Sequence, residues 1–249
     1  SFTEVIKKSI NTGFVQIGMR LGSEKLINYA KAFGFGKATG LGLPGEENGL
    51  LFEPKDMTTP DVATMSIGQS IAVTPMQLIT AMSGIANKGQ LLKPHIIKEI
   101  KNEDNSIFQE FAVQGVNQVI TAEKAQELTM MLEKVVSDGG GKLAAVKGYR
   151  IAGKTGTAEK LNDNGIGYKA GHYIASFCGF APVENPQVAV LVVLDDPDGK
   201  YYGGEIAAPI AGGIFEQVLR YLNIKPAYVV DIQPTNSGGN VAMPSPPVT

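Results

Sequence analysis

The chain has 249 residues, 43% of them hydrophobic, and its 22 lysines and arginines against 24 aspartates and glutamates leave a formal charge of −2. That length holds a sizeable core, and that charge gives no field able to hold a nucleic-acid backbone or an anionic membrane surface, so nucleic acid is excluded as a partner. One cysteine, Cys178, makes no internal disulfide, and with His95 and His172 far apart there is no zinc-ligand spacing, so no structural zinc site is expected.

The opening residues are soon in helical periodicity, and a short helix yields to the next around Ser9 and Asn11. Ser23 precedes a helix to Phe33 in which Leu26, Ile27, Tyr29, Ala30 and Phe33 share one stripe, and Gly34 ends it. From Phe33 to Leu51 the density of Gly and Pro predicts an ordered loop. A second helix opens at Thr74, with Pro75 at its first position and Gln77 completing a capping box, and runs to Gly89. Pro94 to Ile100 and Ile107 to Phe111 read as a hairpin.

A third helix starts at Thr121 and buries Ala125, Leu128, Met131, Leu132, Val135 and Val136 before Gly139-Gly140-Gly141 stops it. Three strands follow, Tyr149 to Ala158, His172 to Ala181 and Val188 to Leu194, and then a final helix from Ile206 to Leu222. The seven-residue apolar run Val188 to Leu194 is the longest in the chain, far short of the roughly 20 residues of a membrane helix. Helices first and an antiparallel sheet last predict an α+β fold. The domain is expected over residues 1–225. Residues 226–249, rich in Pro, Ser, Gly and Asn beyond Gln233, read as a tail or linker.

Two short patterns carry chemistry. Lys154-Thr155-Gly156-Thr157 follows the strand start Tyr149-Arg150-Ile151-Ala152-Gly153. There Lys154 supplies a fixed charge, Thr155 and Thr157 supply hydroxyls, Gly156 lets a ligand lie close, and the Thr157 N–H faces a developing oxyanion. Such a strand edge suits an extended peptide ending in a carboxylate. Alone, the triplet reads equally well as an exposed edge lysine followed by small residues. Ser9-Ile10-Asn11 is weaker still, since Ser and Asn in a turn commonly satisfy local backbone groups. At a cleft, Ser9 would relay a proton while Asn11 holds a carbonyl.

Together with further stretches these patterns resemble penicillin-binding protein transpeptidase domains, specifically the class B enzymes of cell division and sporulation. The stretches are Phe33-Gly34-Phe35-Gly36 with Leu43-Pro44-Gly45-Glu46, Ser66-Ile67-Gly68-Gln69 with Val73-Thr74-Pro75-Met76-Gln77-Leu78, Ala175-Ser176-Phe177-Cys178-Gly179-Phe180-Ala181-Pro182, and Tyr202-Gly203-Gly204. The resemblance implies the C-terminal portion of the fold shared by penicillin-binding proteins and serine β-lactamases. It implies a D,D-transpeptidase that crosslinks peptidoglycan stem peptides, is acylated by β-lactam antibiotics and requires no metal or organic cofactor. Catalytic roles for Ser9, Asn11 and Lys154, and substrate binding by Asn11, Lys154, Thr155, Gly156 and Thr157, follow from that family's pattern and not from spacing. So do a location outside the cytoplasmic membrane, with an anchor supplied elsewhere, and divisome or sporulation membrane proteins as partners.

The chain departs from the family at its nucleophile. No serine here is followed by lysine three residues on, and Thr121-Ala122-Glu123-Lys124, which has the spacing, reads as a helix N-cap. The nucleophile is therefore expected in an upstream part of the same domain, and this chain alone is expected to be inactive. Two other readings remain: a D,D-carboxypeptidase or β-lactamase-like hydrolase that uses water as acceptor, and a non-catalytic penicillin-sensing or divisome scaffold module. Gly34 to Gly40 fits no nucleotide-binding spacing, and Asp195, Asp196 and Asp198 read as a solvated turn, because Ala207 stands where a calcium loop needs Glu.

Overall fold

A computed structural model describes residues 1–162 and 167–227. Helix α1 (Phe2–Lys8) turns at Ser9 into α2 (Asn11–Ala32). The helix expected from Ser23 is the second half of α2, which breaks at Gly22 (φ 78, ψ 167). Gly34 ends it as expected. With φ 93 it lets its own N–H reach Lys31 O at 3.0 Å and the next N–H, of Phe35, reach Ala30 O at 3.0 Å, so two orphan carbonyls of the last turn are satisfied.

The stretch 33–51 is an ordered loop pinned from two sides. Glu46 accepts from the N–H and hydroxyl of Thr39 and from the Gly40 N–H, and these bonds, the hydroxyl first, hold its carboxyl below the usual range. The fully buried Gln77 donates to Lys37 O (2.8 Å) and Asn48 O (2.9 Å) while accepting from Thr74 N (2.9 Å). Its residue thus serves both the capping box and the loop.

Helix α3 (Thr59–Met65) escaped the periodicity reading because seven residues make less than two apolar turns, although Thr58 and Asp61 form a full capping box at its start. Helix α4 (Pro75–Ala86) begins as expected at Thr74. The next strands are short: β1 (Gln90–Leu92) pairs with β4 (Gly115–Gln118), and β2 (Glu99–Lys101) pairs with β3 (Ile107–Glu110). The expected hairpin exists, without Pro94 to Lys98 in its first strand. The β1–β4 pair does not show in the sequence, since strands of three and four residues, QLL and GVNQ, carry no clear alternation.

Helix α5 (Ala122–Asp138) is capped by Thr121, whose hydroxyl accepts from Lys124 N at 3.3 Å. The main sheet is antiparallel in the order β5 (Ala152–Leu161), β6 (Tyr168–Ala181), β7 (Val188–Asp195), and α6 (Gly203–Tyr221) closes it. The β5–β6 arm runs three residues past the expected end, to Leu161 paired with Tyr168. The α+β class expected from the order of elements is the one observed. All but residues 226 and 227 of the expected tail lie outside the described residues.

Successive strand residues face opposite sides, which places the core in two layers. Phe177, Ala181, Val190 and Val192 pack on Ala207, Ala211, Phe215 and Leu219 of α6. Cys178, Phe180, Ala189 and Leu191 pack on α1, α4 and α5 through Ile6, Met82, Leu132 and Val135. A sheet covered on both faces explains the unbroken apolar run of β7.

Candidate active site

Ser9 caps the C-terminus of α1 in the left-handed region (φ 51, ψ 51), and its N–H reaches Ile6 O at 3.2 Å. A serine there carries roughly 1–2 kcal/mol of backbone strain. The turn is held by its neighbours: Lys7 donates to Asp138 at 2.8 Å, and Gly140 N reaches Lys7 O at 3.4 Å, tying the end of α1 to the end of α5. Asn11, the first residue of α2, lines the same cleft as Ser9.

From the sheet, β5 brings Lys154 to this turn. Its Nζ lies 2.9 Å from Ser9 Oγ and 2.9 Å from Thr155 O. Lys154 stands in register with Cys178 on the face packed by α1 and α5, and that burial brings its ammonium down to about 8. An ammonium has three donors and no acceptor, so Ser9 Oγ accepts from it and keeps its own proton to offer a third group. The same burial pushes the Cys178 thiol up to about 12, leaving it a small hydrophobe as expected.

Thr157 Oγ1 accepts from Gly203 N at 3.0 Å, so the first turn of α6 starts on the edge strand. Only glycine fits at 203: a Cβ there would lie 2.3 Å from Gly156 O and 2.4 Å from Ser176 O. Gly156 is itself constrained, since a Cβ would meet Ser176 Oγ at 2.5 Å, so this glycine serves the packing of β6.

These groups line one cavity of about 1050 Å³, which holds Ser9, Asn11, Lys154, Thr155, Gly156 and Thr157 together. All six residues singled out in the sequence converge there. Three tyrosines share the wall: Tyr173 stacks on Tyr201 with ring centroids 4.0 Å apart at 12°, and Tyr202 tilts against Tyr201 at 4.5 Å. The Tyr201 hydroxyl donates to Tyr202 at 3.3 Å, and with that bond first among the causes its phenol is held up at about 12. None of the three was singled out as a site residue in the sequence, where the only signal for Tyr173 was its place on a strand neighbouring the Lys-Thr-Gly strand. His172 bonds Asp196, and His95 sits exposed on a loop.

A second, apolar cavity of about 850 Å³ adjoins the first along β5 and shares Gly156 and Thr157 with it. Ile174 and Val193 form its floor, on the sheet face that α4 covers further along, and Leu51, Phe52 and Ile71 form its rim.

The helix-flanked antiparallel sheet thus sets an edge-strand lysine against a serine from the helical layer, with backbone and hydroxyl donors beside them. Comparison with known proteins makes this specific. The profile of the penicillin binding protein transpeptidase domain matches residues 1–216, and the chain belongs to that family. It is 42% identical over 228 residues to stage V sporulation protein D of Bacillus subtilis, covering 91% of this chain and 35% of that protein. It is 38% identical over 229 residues to the peptidoglycan D,D-transpeptidase FtsI of Escherichia coli, covering 91% and 37%. The chain thus spans little more than a third of the length of these curated relatives. Penicillin-binding protein 3 of Mycobacterium tuberculosis, solved with ampicillin, superposes with a TM-score of 0.85 at 32% identity, covering 93% of this chain and 53% of that one. The class B resemblance read from the motifs is thereby confirmed.

Proposed function

We propose that these residues form one part of a serine D,D-transpeptidase that crosslinks peptidoglycan stem peptides and is acylated by β-lactams. The observation that carries the reading is the bond from Lys154 Nζ to Ser9 Oγ, which joins the two family patterns into one proton path. In this reading Ser9 relays a proton towards the leaving or attacking amine, and Asn11 holds the substrate amide. Lys154 supports the relay, Thr155 and Thr157 bind the terminal carboxylate, Gly156 lets the peptide approach, and the Thr157 N–H completes the oxyanion hole. The relatives' names support this chemistry, as does the ampicillin complex of the M. tuberculosis protein.

The nucleophile comes from a Ser-x-x-Lys helix outside this sequence, in the remaining part of the same domain, and the chain by itself is inactive. The apolar cavity beside Gly156 is the seat of that helix: burying its apolar side against Ile174, Val193 and Leu78 would leave its serine at the mouth of the cleft. The transpeptidase domain spans residues 1–225, with a tail over 226–249. The complete protein works outside the cytoplasmic membrane with division or sporulation membrane proteins, its anchor lying elsewhere. Among the described residues no helix is long and apolar enough to cross a membrane.

Intact-mass spectrometry after incubation with a penicillin tests the reading, on this chain alone and mixed with the upstream part. Adduct on the upstream part only is the expected result. Adduct on this chain would place a nucleophile within it, and no adduct on either would favour the scaffold reading.

A further inference from the structure

His172 precedes the cleft residue Tyr173 on β6, its partner Asp196 is bonded to the Tyr173 backbone, and the proposed chemistry uses neither. Asp196 follows β7 directly and sits in the left-handed region, φ 55. Two bonds hold it there. Its N–H donates to Tyr173 O at 2.9 Å, and its carboxylate meets His172 Nδ1 at 2.7 and 2.9 Å. One residue thus grips both the side chain of His172 and the backbone of Tyr173. From Asp196 the chain runs only five residues to Tyr201, whose ring lies flat on Tyr173, and two more to Gly203, bonded to Thr157. The link carrying Tyr201 and Tyr202 is anchored at those two ends.

Lys160 of β5 and Lys169 of β6 also act on the Asp196 carboxylate, and Lys160 Nζ is bonded to Asp195 at 2.8 Å. The hydrogen bond from His172 is the first cause of the lowered Asp196 carboxyl. Releasing Asp196 would free an aspartate from a strained backbone region and let the link, with Tyr201, swing away from Tyr173.

We propose that His172 and Asp196 are positioning residues which hold the Tyr201–Tyr173 stack against the cleft. The inference rests on the reading of the cleft as a β-lactam-binding transpeptidase site. The stacked rings then matter for a ligand whose side chain reaches them and not for one that ends at the Lys154 strand.

The test uses the complete polypeptide that carries this chain and two probes, a penicillin with a phenyl side chain and 6-aminopenicillanic acid, which has none. Asp196→Asn is expected to slow acylation by the phenyl penicillin about tenfold while leaving the bare nucleus within about twofold. The preference for the phenyl compound persists in His172→Gln, which keeps a donor for the Asp196 carboxylate, and is lost in His172→Ala. Asp196→Gly, which tolerates the left-handed turn but lacks the carboxylate, repeats the Asn result if Asn harms folding. Equal slowing of both probes, an unchanged preference in the Asp196 variants, or an unchanged preference in His172→Ala would overturn the inference. If neither probe acylates the wild type, it is the functional reading that fails. Ring-to-ring NOEs between Tyr173 and Tyr201 then decide: their loss in Asp196→Gly supports the positioning role, and their persistence refutes it.

Discussion

Lys154 and Ser9 lie 145 residues apart in the chain and 2.9 Å apart at their side-chain tips. The contact needs a serine in the left-handed region at the end of α1 and a lysine drawn into the sheet–helix boundary. Each is a costly local choice, and strain of this kind persists where surrounding structure enforces it.

On the proposed function, Ser9 exchanges backbone stability for its place beside Lys154. Ser9→Gly relieves the positive φ and is expected to raise stability by about 1 kcal/mol, while acylation of the complete protein by a penicillin falls about 10²-fold. Thermal melts and acylation rates on the same variant check both halves; a variant less stable than wild type would show that the Ser9 hydroxyl, not its backbone, dominates there.

Lys154 carries a pH dependence whose sign is set by burial. Its folded value of about 8 lies below the ordinary 10.5, so below pH 8 the native state holds a proton it binds poorly. That cost is relieved as pH rises from about 8 to 10.5, where the unfolded chain still holds the proton and the native state does not. Lys154→Met is expected to gain on the order of 1 kcal/mol at pH 7, with the gain shrinking above pH 8. Denaturant titrations of both proteins across that range measure the difference.

Gln77 is expected to be the most damaging single polar position in the helical layer. Gln77→Leu strands Lys37 O, Asn48 O and Thr74 N, at about 1–3 kcal/mol. Limited proteolysis should then cut first within residues 34–50, whereas cleavage elsewhere would mean that Gln77 is not what holds that loop.

Thr157→Val removes the acceptor for Gly203 N and should cost about 1 kcal/mol, with amide exchange at Gly203 and Gly204 rising before that of the α6 interior. Cys178 should resist a thiol reagent in the folded protein at pH 8 and react once denaturant is added, because its thiol is both buried and pushed up to about 12.

Much of this architecture is local and so was readable in the residues themselves. The starts of α4 and α5 were visible as Thr74 and Thr121, because a capping hydroxyl bonds an N–H three residues away. The later part of β6 and the whole of β7 but its last residue showed as apolar runs, since both of their faces are covered. The lysine strand carried Lys154-Thr155-Gly156-Thr157 in plain order, and the family followed from several such stretches. Elements too short to complete a period, α3, β1 and β4, did not show, although Thr58 and Asp61 already marked the first of them.

The meeting of those parts was decided by the tertiary structure. Whether Ser9 was a turn residue or a proton relay depended on the packing of α1 against α5 and on the register that sets Lys154 opposite Cys178. Tyr173 became a wall of the cleft because β7 and the link after Asp196 return Tyr201 onto it. Capping and alternation act over a few residues and leave a trace in their order. A cleft forms from groups brought together by sheet register and helix packing across the whole chain, and no short run of residues encodes that.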